Sequence, residues 1–173
     1  RIKLMANQDP QPEIYTTRHN FDASAVTVPA GTTVTKSIYT NQANNEEVRI
    51  YAVATQIIDE NGATATTFTD FALQIQVGPN AVPSNQFDIG WIAGSIANGG
   101  DTLAFSSPVL VLFQQPLSIV VECKTAIATA ADRERTVLIN LIGELAIQRV
   151  ACRGCGFGHP RNSRCPQCSG APQ

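Results

Sequence analysis

The chain has 173 residues, of which 43% are hydrophobic and 15% are charged, so it is long enough to bury one substantial core. Its formal net charge of −2 gives the molecule as a whole no electrostatic attraction for nucleic acid. The longest apolar run, residues 108–113, is far shorter than the roughly 20 residues that cross a bilayer, so we expect no membrane segment.

Short segments of alternating apolar and polar residues follow one another along the chain, and Gly, Pro and Asn separate them. Side chains of a β-strand alternate between the two faces of a sheet, so a period of two predicts strands. We predict eight strands, which in chain order are 24–28, 32–40, 47–58, 67–77, 87–93, 103–113, 116–123 and 135–145. Residues 126–132 are predicted to form a loop.

The last three predicted strands contain most of the candidate core. In the strand 116–123, one face carries only apolar residues and a cysteine, namely Leu117, Ile119, Val121 and Cys123. Such a face must be covered by a second layer, which in a chain of strands is a second sheet. The sequence therefore predicts an all-β fold, an eight-stranded β-sandwich. A jelly roll is the expected topology and an immunoglobulin-like sandwich is the alternative.

Charge and composition divide the chain into three parts. Residues 1–20 are polar and contain Pro10 and Pro12, so we expect an extended N-terminal arm that can lie on a neighbouring subunit. Residues 21–148 form the predicted sandwich. Residues 149–173 carry four arginines and no acidic residue; taking these from the 12 basic residues leaves 8 against 14 acidic residues in 1–148, a net −6. This basic tail on an acidic body indicates a separate unit.

The tail contains two Cys-x-x-Cys pairs, formed by Cys152 with Cys155 and by Cys165 with Cys168. Each pair can fold into a tight turn whose two thiolates point at one ion, and two such turns complete a tetrahedral site. We predict a structural Zn²⁺ bound by the four cysteines, with His159 as a spacer residue that can alternatively replace one ligand. Two disulfides, which can pair in three ways, are the other interpretation of the spacing.

The second half of the tail, Cys165-Pro166-Gln167-Cys168-Ser169, resembles the knuckle of zinc-ribbon and rubredoxin-like proteins. The resemblance covers about 20 residues. It implies a metal site but no particular function, because proteins with this module serve many functions. The predicted fold is thus a sandwich followed by a small four-cysteine zinc knuckle.

The sequence gives little indication of catalysis, and we expect no enzyme activity. His19 and His159 are the two histidines, one in the predicted arm and one in the tail, and the acidic residues are scattered, mostly at turns. Cys123 alternates with core residues, so we interpret it as a buried thiol and not as a nucleophile. Glu122 is predicted to face outward.

The layout of the body resembles the jelly-roll head decoration, or cement, proteins of tailed bacteriophages. The resemblance rests on the turn Val28-Pro29-Ala30-Gly31-Thr32, the strand pair from Ser107 to Val121 and the closing run Leu141-Ile142-Gly143-Glu144-Leu145. It implies a homotrimer on the outer surface of a virion, where it bridges neighbouring copies of the major capsid protein. The tail would then be a foot that docks on a neighbour.

Two other functions stay open on the sequence. The tail arginines, with Phe157 for base stacking, can serve a zinc-ribbon adaptor or nucleic-acid-binding protein that uses the sandwich as scaffold. A carbohydrate-binding sandwich would use Trp91, Tyr39 and Tyr51 as its platform, although aromatic residues on strands more often belong to a core.

Overall fold

The structure is a computed structural model that describes residues 10–59, 61, 71–89, 102–131, 133–147, 149–151, 155 and 158–160. Regular structure in these residues consists of β-strands. The first five are β1 (Gln11–Asp22), β2 (Thr33–Thr40), β3 (Glu46–Ile58), β4 (Phe71–Val77) and β5 (Asn80–Asp88). The next five are β6 (Thr102–Val111), β7 (Pro116–Cys123), β8 (Glu134–Ile147), β9 (Arg149–Ala151) and β10 (Gly158–Pro160).

The first eight strands form two four-stranded antiparallel sheets, and β9 and β10 pair separately. The first sheet has the order β1-β8-β3-β6 and the second has the order β2-β7-β4-β5. Consecutive strands therefore alternate between the sheets except at the β4–β5 hairpin. One core cluster contains residues of both sheets, and the rings of Phe21 on β1 and Phe71 on β4 lie 5.0 Å apart. The all-β prediction is confirmed for the described residues, and the arrangement is consistent with the predicted β-sandwich.

Two strands with clear alternation, β4 and β7, form the centre of the second sheet. In β4, Phe71, Leu73, Ile75 and Val77 are all buried, and the predicted inner face of β7 is fully buried as well. Each strand has hydrogen-bonded neighbours on both sides, β4 between β7 and β5, and β7 between β2 and β4. Burial of these branched and aromatic side chains, at roughly 1.5–3 kcal/mol each, supplies much of the stability of the fold.

The prediction of an extended arm over residues 1–20 is wrong for residues 11–20. These residues belong to β1, which pairs with β8 over its whole length, from Gln11 opposite Leu145 to Asp22 opposite Glu134. Pro12 is tolerated because β1 is an edge strand, where one side of the backbone needs no hydrogen-bond partner. Residues 1–9 lie outside the described residues.

Two other strand predictions also need correction. Residues 24–28 do not form a strand, because only Val28 pairs there, in a single bridge to Ile127. Within the described residues, the strand predicted at 87–93 starts earlier: β5 begins at Asn80, because Gly78, with a φ of +59°, allows a tight turn directly after β4. Residues 90–101, including Trp91, lie outside the described residues, as do 62–70 at the start of the predicted strand 67–77.

Candidate metal centre and exposed surfaces

The first predicted Cys-x-x-Cys pair lies between two short paired strands. Strands β9 and β10 pair antiparallel, with Ala151 opposite Gly158 and Arg149 opposite Pro160. Residues 152–157 connect them, so the sequence places Cys152 and Cys155 together in this short connection. Two cysteines between the paired strands of a short hairpin suit a two-thiolate knuckle.

The structure describes one of the four predicted ligands. Cys155 lies at a turn and is exposed, whereas Cys152, Cys165 and Cys168 lie outside the described residues. Within the described part of the chain, no group of three or more His, Cys, Asp and Glu side chains is arranged to hold a metal ion. The four-cysteine zinc site therefore stays a prediction, and the hairpin around the first pair fits it. Thiolates are soft ligands that suit Zn²⁺.

The tail leaves the sandwich at the end where several loops meet. Strand β8 ends at Ile147, which pairs with Glu46 at the start of β3, and β9 begins two residues later. Strand β1 also begins at this end, with Gln11 opposite Leu145. The turn from β6 to β7 lies there too, because Gln114 in this turn donates its N–H to the carbonyl oxygen of Asn41, which lies close to the start of β3.

Asn41 is fully buried and holds these loops together. Its side-chain amide donates to the carbonyl oxygens of Glu46 at 2.8 Å and Val111 at 3.3 Å, and its Oδ1 accepts from the backbone N–H of Ala43 at 3.0 Å. Its own carbonyl accepts from the N–H of Gln114 at 2.8 Å. One side chain therefore joins the β2–β3 loop to the end of β6. The sequence predicted only a loop here.

Apolar side chains are exposed near this end of the sandwich. Leu110 is 45% exposed, and Leu112 and Phe113, in the turn that follows β6, are 38% and 41% exposed. The sequence predicted that residues 103–113 contribute to the core. That prediction is wrong for these three residues, because Leu110 lies on the outer face of β6 between the buried Val109 and Val111, and Leu112 and Phe113 follow the end of the strand.

The outer face of the first sheet carries one exposed apolar side chain on each of its four strands. These are Ile14 on β1 at 66% exposure, Ile142 on β8 at 37%, Tyr51 on β3 at 37% and Leu110 on β6. Ile14 lies directly opposite Ile142, and a bulge between Ile50 and Ala52 brings Tyr51 beside them. We call these four residues the outer patch. Exposed apolar side chains gathered on one face of a sheet are a candidate contact surface.

A charged cluster lies within the outer patch, because Arg49 is opposite Leu110 on one side and Glu144 on the other. Arg49 forms ion pairs with Glu47 at 2.5 Å and Glu144 at 3.3 Å, and the Tyr51 hydroxyl donates to Glu144 at 2.5 Å. The hydrogen bond to Glu47, followed by the other contacts, raises the pKa of Arg49, and the bond to Glu144 raises the pKa of Tyr51. Both side chains therefore keep their usual protonation state at neutral pH, and the cluster is a fixed polar part of this face.

An apolar cavity of about 290 Å³ opens between the edge strands β5 and β6. Its lining consists of Val82, Phe87, Leu103, Phe105, Ser106, Ser107 and Val109. None of these described lining side chains is titratable.

The residues considered for catalysis have structural partners. Cys123 is fully buried as predicted, and its thiol donates to the carbonyl oxygen of Thr125 at 2.9 Å. Glu122 lies on the outer side of β7 and pairs with Lys124 at 3.0 Å. His19 is fully buried on β1, whereas His159 is in β10. The two histidines therefore belong to different parts of the fold.

The aromatic platform proposed for a carbohydrate does not form as predicted. Tyr39 packs against the core with its ring 5.3 Å from that of Tyr15, whereas Tyr51 lies on the outer face of the other sheet. The two tyrosines therefore cannot contact one ligand together.

Comparison of the sequence with models of known protein families and with curated proteins gives no match. Among the described residues, no helix is long and apolar enough to span a membrane.

Proposed function

We propose that the chain is a structural virion protein that decorates the outer surface of a bacteriophage capsid. In this proposal a homotrimer bridges neighbouring copies of the major capsid protein, and a structural zinc site in the tail forms a docking foot. The observation that carries the proposal is the outer patch, where Ile14, Tyr51, Leu110 and Ile142 face solvent on one sheet. Contact with neighbouring subunits would bury this apolar surface.

The strand order supports a jelly roll as the topology of the sandwich. Orders β1-β8-β3-β6 and β2-β7-β4-β5, with the strands alternating between the sheets, are those of two Greek keys wound together. This topology leaves loops at both ends of the sandwich for contacts with other molecules. A fold alone does not give a function, so the outer patch has to be tested directly.

The experiment measures co-sedimentation with empty shells assembled from the major capsid protein. We compare wild type, Ile14→Asp, Leu110→Asp and the control Val26→Asp, which changes an apolar residue that is 71% exposed but lies outside the patch. We expect both patch variants to lose shell binding while Val26→Asp retains it. Binding of all four proteins with equal affinity would show that the outer patch is not the contact surface.

Native mass spectrometry then tests the oligomer and the metal. We expect a trimer that carries one zinc per chain and stays a trimer after a chelator removes the metal. A zinc-loaded monomer that binds DNA, with an affinity that falls steeply with salt, would instead favour the adaptor or nucleic-acid function. The four tail arginines are the feature that favours this second candidate.

A further inference from the structure

The two sheets meet along one side of the molecule through their edge strands β1 and β2, which contact each other. His19 lies at this junction and is completely buried. Its Nδ1 is 3.1 Å from the carbonyl oxygen of Val34 on β2, so the imidazole joins the first sheet to the second. The Tyr15–Tyr39 ring contact is a second link between the same two strands.

The hydrogen bond to Val34 determines the tautomer of the neutral imidazole ring. A carbonyl oxygen only accepts, so Nδ1 carries the hydrogen, and Nε2 is the unprotonated nitrogen of the neutral ring. Nε2 is buried and has no hydrogen-bond partner among the described residues. A proton added to the imidazole would therefore go to Nε2, where a buried N–H would lack an acceptor.

The surroundings of the ring do not compensate a positive charge. His19 lies opposite the apolar Val137 of β8, and the charged side chain that acts on it is Lys36 of β2, which repels a proton. Burial is the main cause that lowers the pKa of His19, and Lys36 adds to it, while the bond to Val34 acts in the opposite direction.

Other charged side chains on the inner faces are farther along the strands. Glu13 is six residues away on β1, and Arg135 of β8 lies opposite Phe21. The inner faces of β3, β4 and β7 near the core carry uncharged side chains. The described residues thus place no carboxylate next to the ring.

We propose that His19 is an acid-sensitive latch, and that protonation of Nε2 releases the edge strand β1 from β2. The proposal does not depend on the function proposed above. Strand β1 keeps its pairing with β8 when this latch opens, so only contacts between the two sheets, including Tyr15–Tyr39, have to be lost. Water then reaches the imidazolium without unfolding of the whole sandwich.

The sign of the pH dependence follows from the lowered pKa. At neutral pH the ring is neutral in both the folded and the unfolded chain, and the full stability is present. Below about pH 6.5, the ordinary histidine value, the unfolded state binds a proton that the latched state excludes. Stability is therefore lost as the pH falls below about 6.5, and the loss stops once the pH is below the pKa of the folded state.

The experiment compares wild type with His19→Asn and His159→Asn, which together cover the two histidines of the chain. Asparagine at position 19 keeps an N–H group near the position of Nδ1 but cannot be protonated in this pH range. Urea unfolding is measured between about pH 7.5 and pH 5. We expect the unfolding equilibrium constant of wild type and His159→Asn to increase by up to about tenfold per pH unit below pH 6.5, relative to His19→Asn.

NMR of the wild-type protein supplies a readout that needs no variant. We expect the His19 ring to titrate below the ordinary histidine value, and the amide signals of β1 and β2 to change before those of β4 and β7. The latch is refuted if His19→Asn follows the same pH profile as wild type. Simultaneous loss of all amide signals would also refute it, because the histidine would then affect only global unfolding.

Discussion

Gly143 on β8 lies against the backbone of Arg49 on β3. A Cβ atom built on Gly143 would be 2.3 Å from the carbonyl oxygen of Arg49. The close approach occurs beside the bulge between Ile50 and Ala52, where Gly143 pairs with Ile50. The backbone of β3 bends toward β8 there, and a residue without a side chain makes the approach possible.

We therefore predict that Gly143→Ala destabilises the protein. The methyl group would have to displace the backbone of β3, and overpacking of this kind costs about 1–3 kcal/mol in the free energy of unfolding. Urea denaturation measures the effect, with Thr35→Ala as an exposed strand control that should change stability by less than about 0.5 kcal/mol. Equal midpoints for Gly143→Ala and wild type would show that β3 and β8 are not this close.

Asn41→Ala should be destabilising although no apolar surface is lost. The substitution removes the donor to two carbonyl oxygens and the acceptor of the Ala43 N–H, and each buried unsatisfied group costs about 1–3 kcal/mol. Water can enter a loop region, so we expect a total loss of about 2–3 kcal/mol, measured by thermal or urea unfolding. Gln42→Ala, at the exposed neighbouring position, is the control, and a similar loss there would contradict the role given to the Asn41 side chain.

The sequence predicts the central strands of the second sheet well, for a simple reason. In β4 and β7 the inner face is apolar at every second position, so the period of two directly reports burial. The same reasoning missed β1, because its inner face carries Tyr15, Thr17 and His19 beside Phe21. Pairing with β8 holds this strand in place and the carbonyl oxygen of Val34 binds Nδ1 of His19, and neither interaction is visible in a local pattern.

The exposed surfaces could not be predicted from composition either. Leu110 and Leu112 have the same side chain as the buried Leu117, but Leu110 lies on the outer face of β6 and Leu112 lies in the turn after it. Which face of a strand is covered, and where the strand ends, depend on long-range pairing that hydropathy does not encode. The metal site is the opposite case. The cysteine spacing alone predicts all four ligands, whereas the structure describes one of them.

Gln114 adopts a left-handed backbone conformation with a φ of +61°, and we predict that Gln114→Gly stabilises the protein. Such a conformation costs an ordinary residue roughly 1–2 kcal/mol, whereas the added freedom of glycine in the unfolded chain costs about 0.5–1 kcal/mol. We expect the free energy of unfolding to rise by about 0.5 kcal/mol, within the usual range for this kind of change. Gln42→Gly, the same replacement at a neighbouring loop position without a positive φ, should lower it instead.

The two kinds of cysteine in the chain should respond in opposite ways to substitution. Cys165→Ser removes one of the four predicted thiolates, so we expect loss of bound zinc while the sandwich keeps its unfolding temperature. Cys123→Ala changes a fully buried thiol in β7, so zinc should stay bound and stability should fall by about 1 kcal/mol. Metal analysis of the purified proteins and calorimetry measure both quantities on the same samples. Unfolding of the sandwich in Cys165→Ser would show that the tail is part of the core fold, and unchanged zinc content in that variant would remove Cys165 from the ligand set.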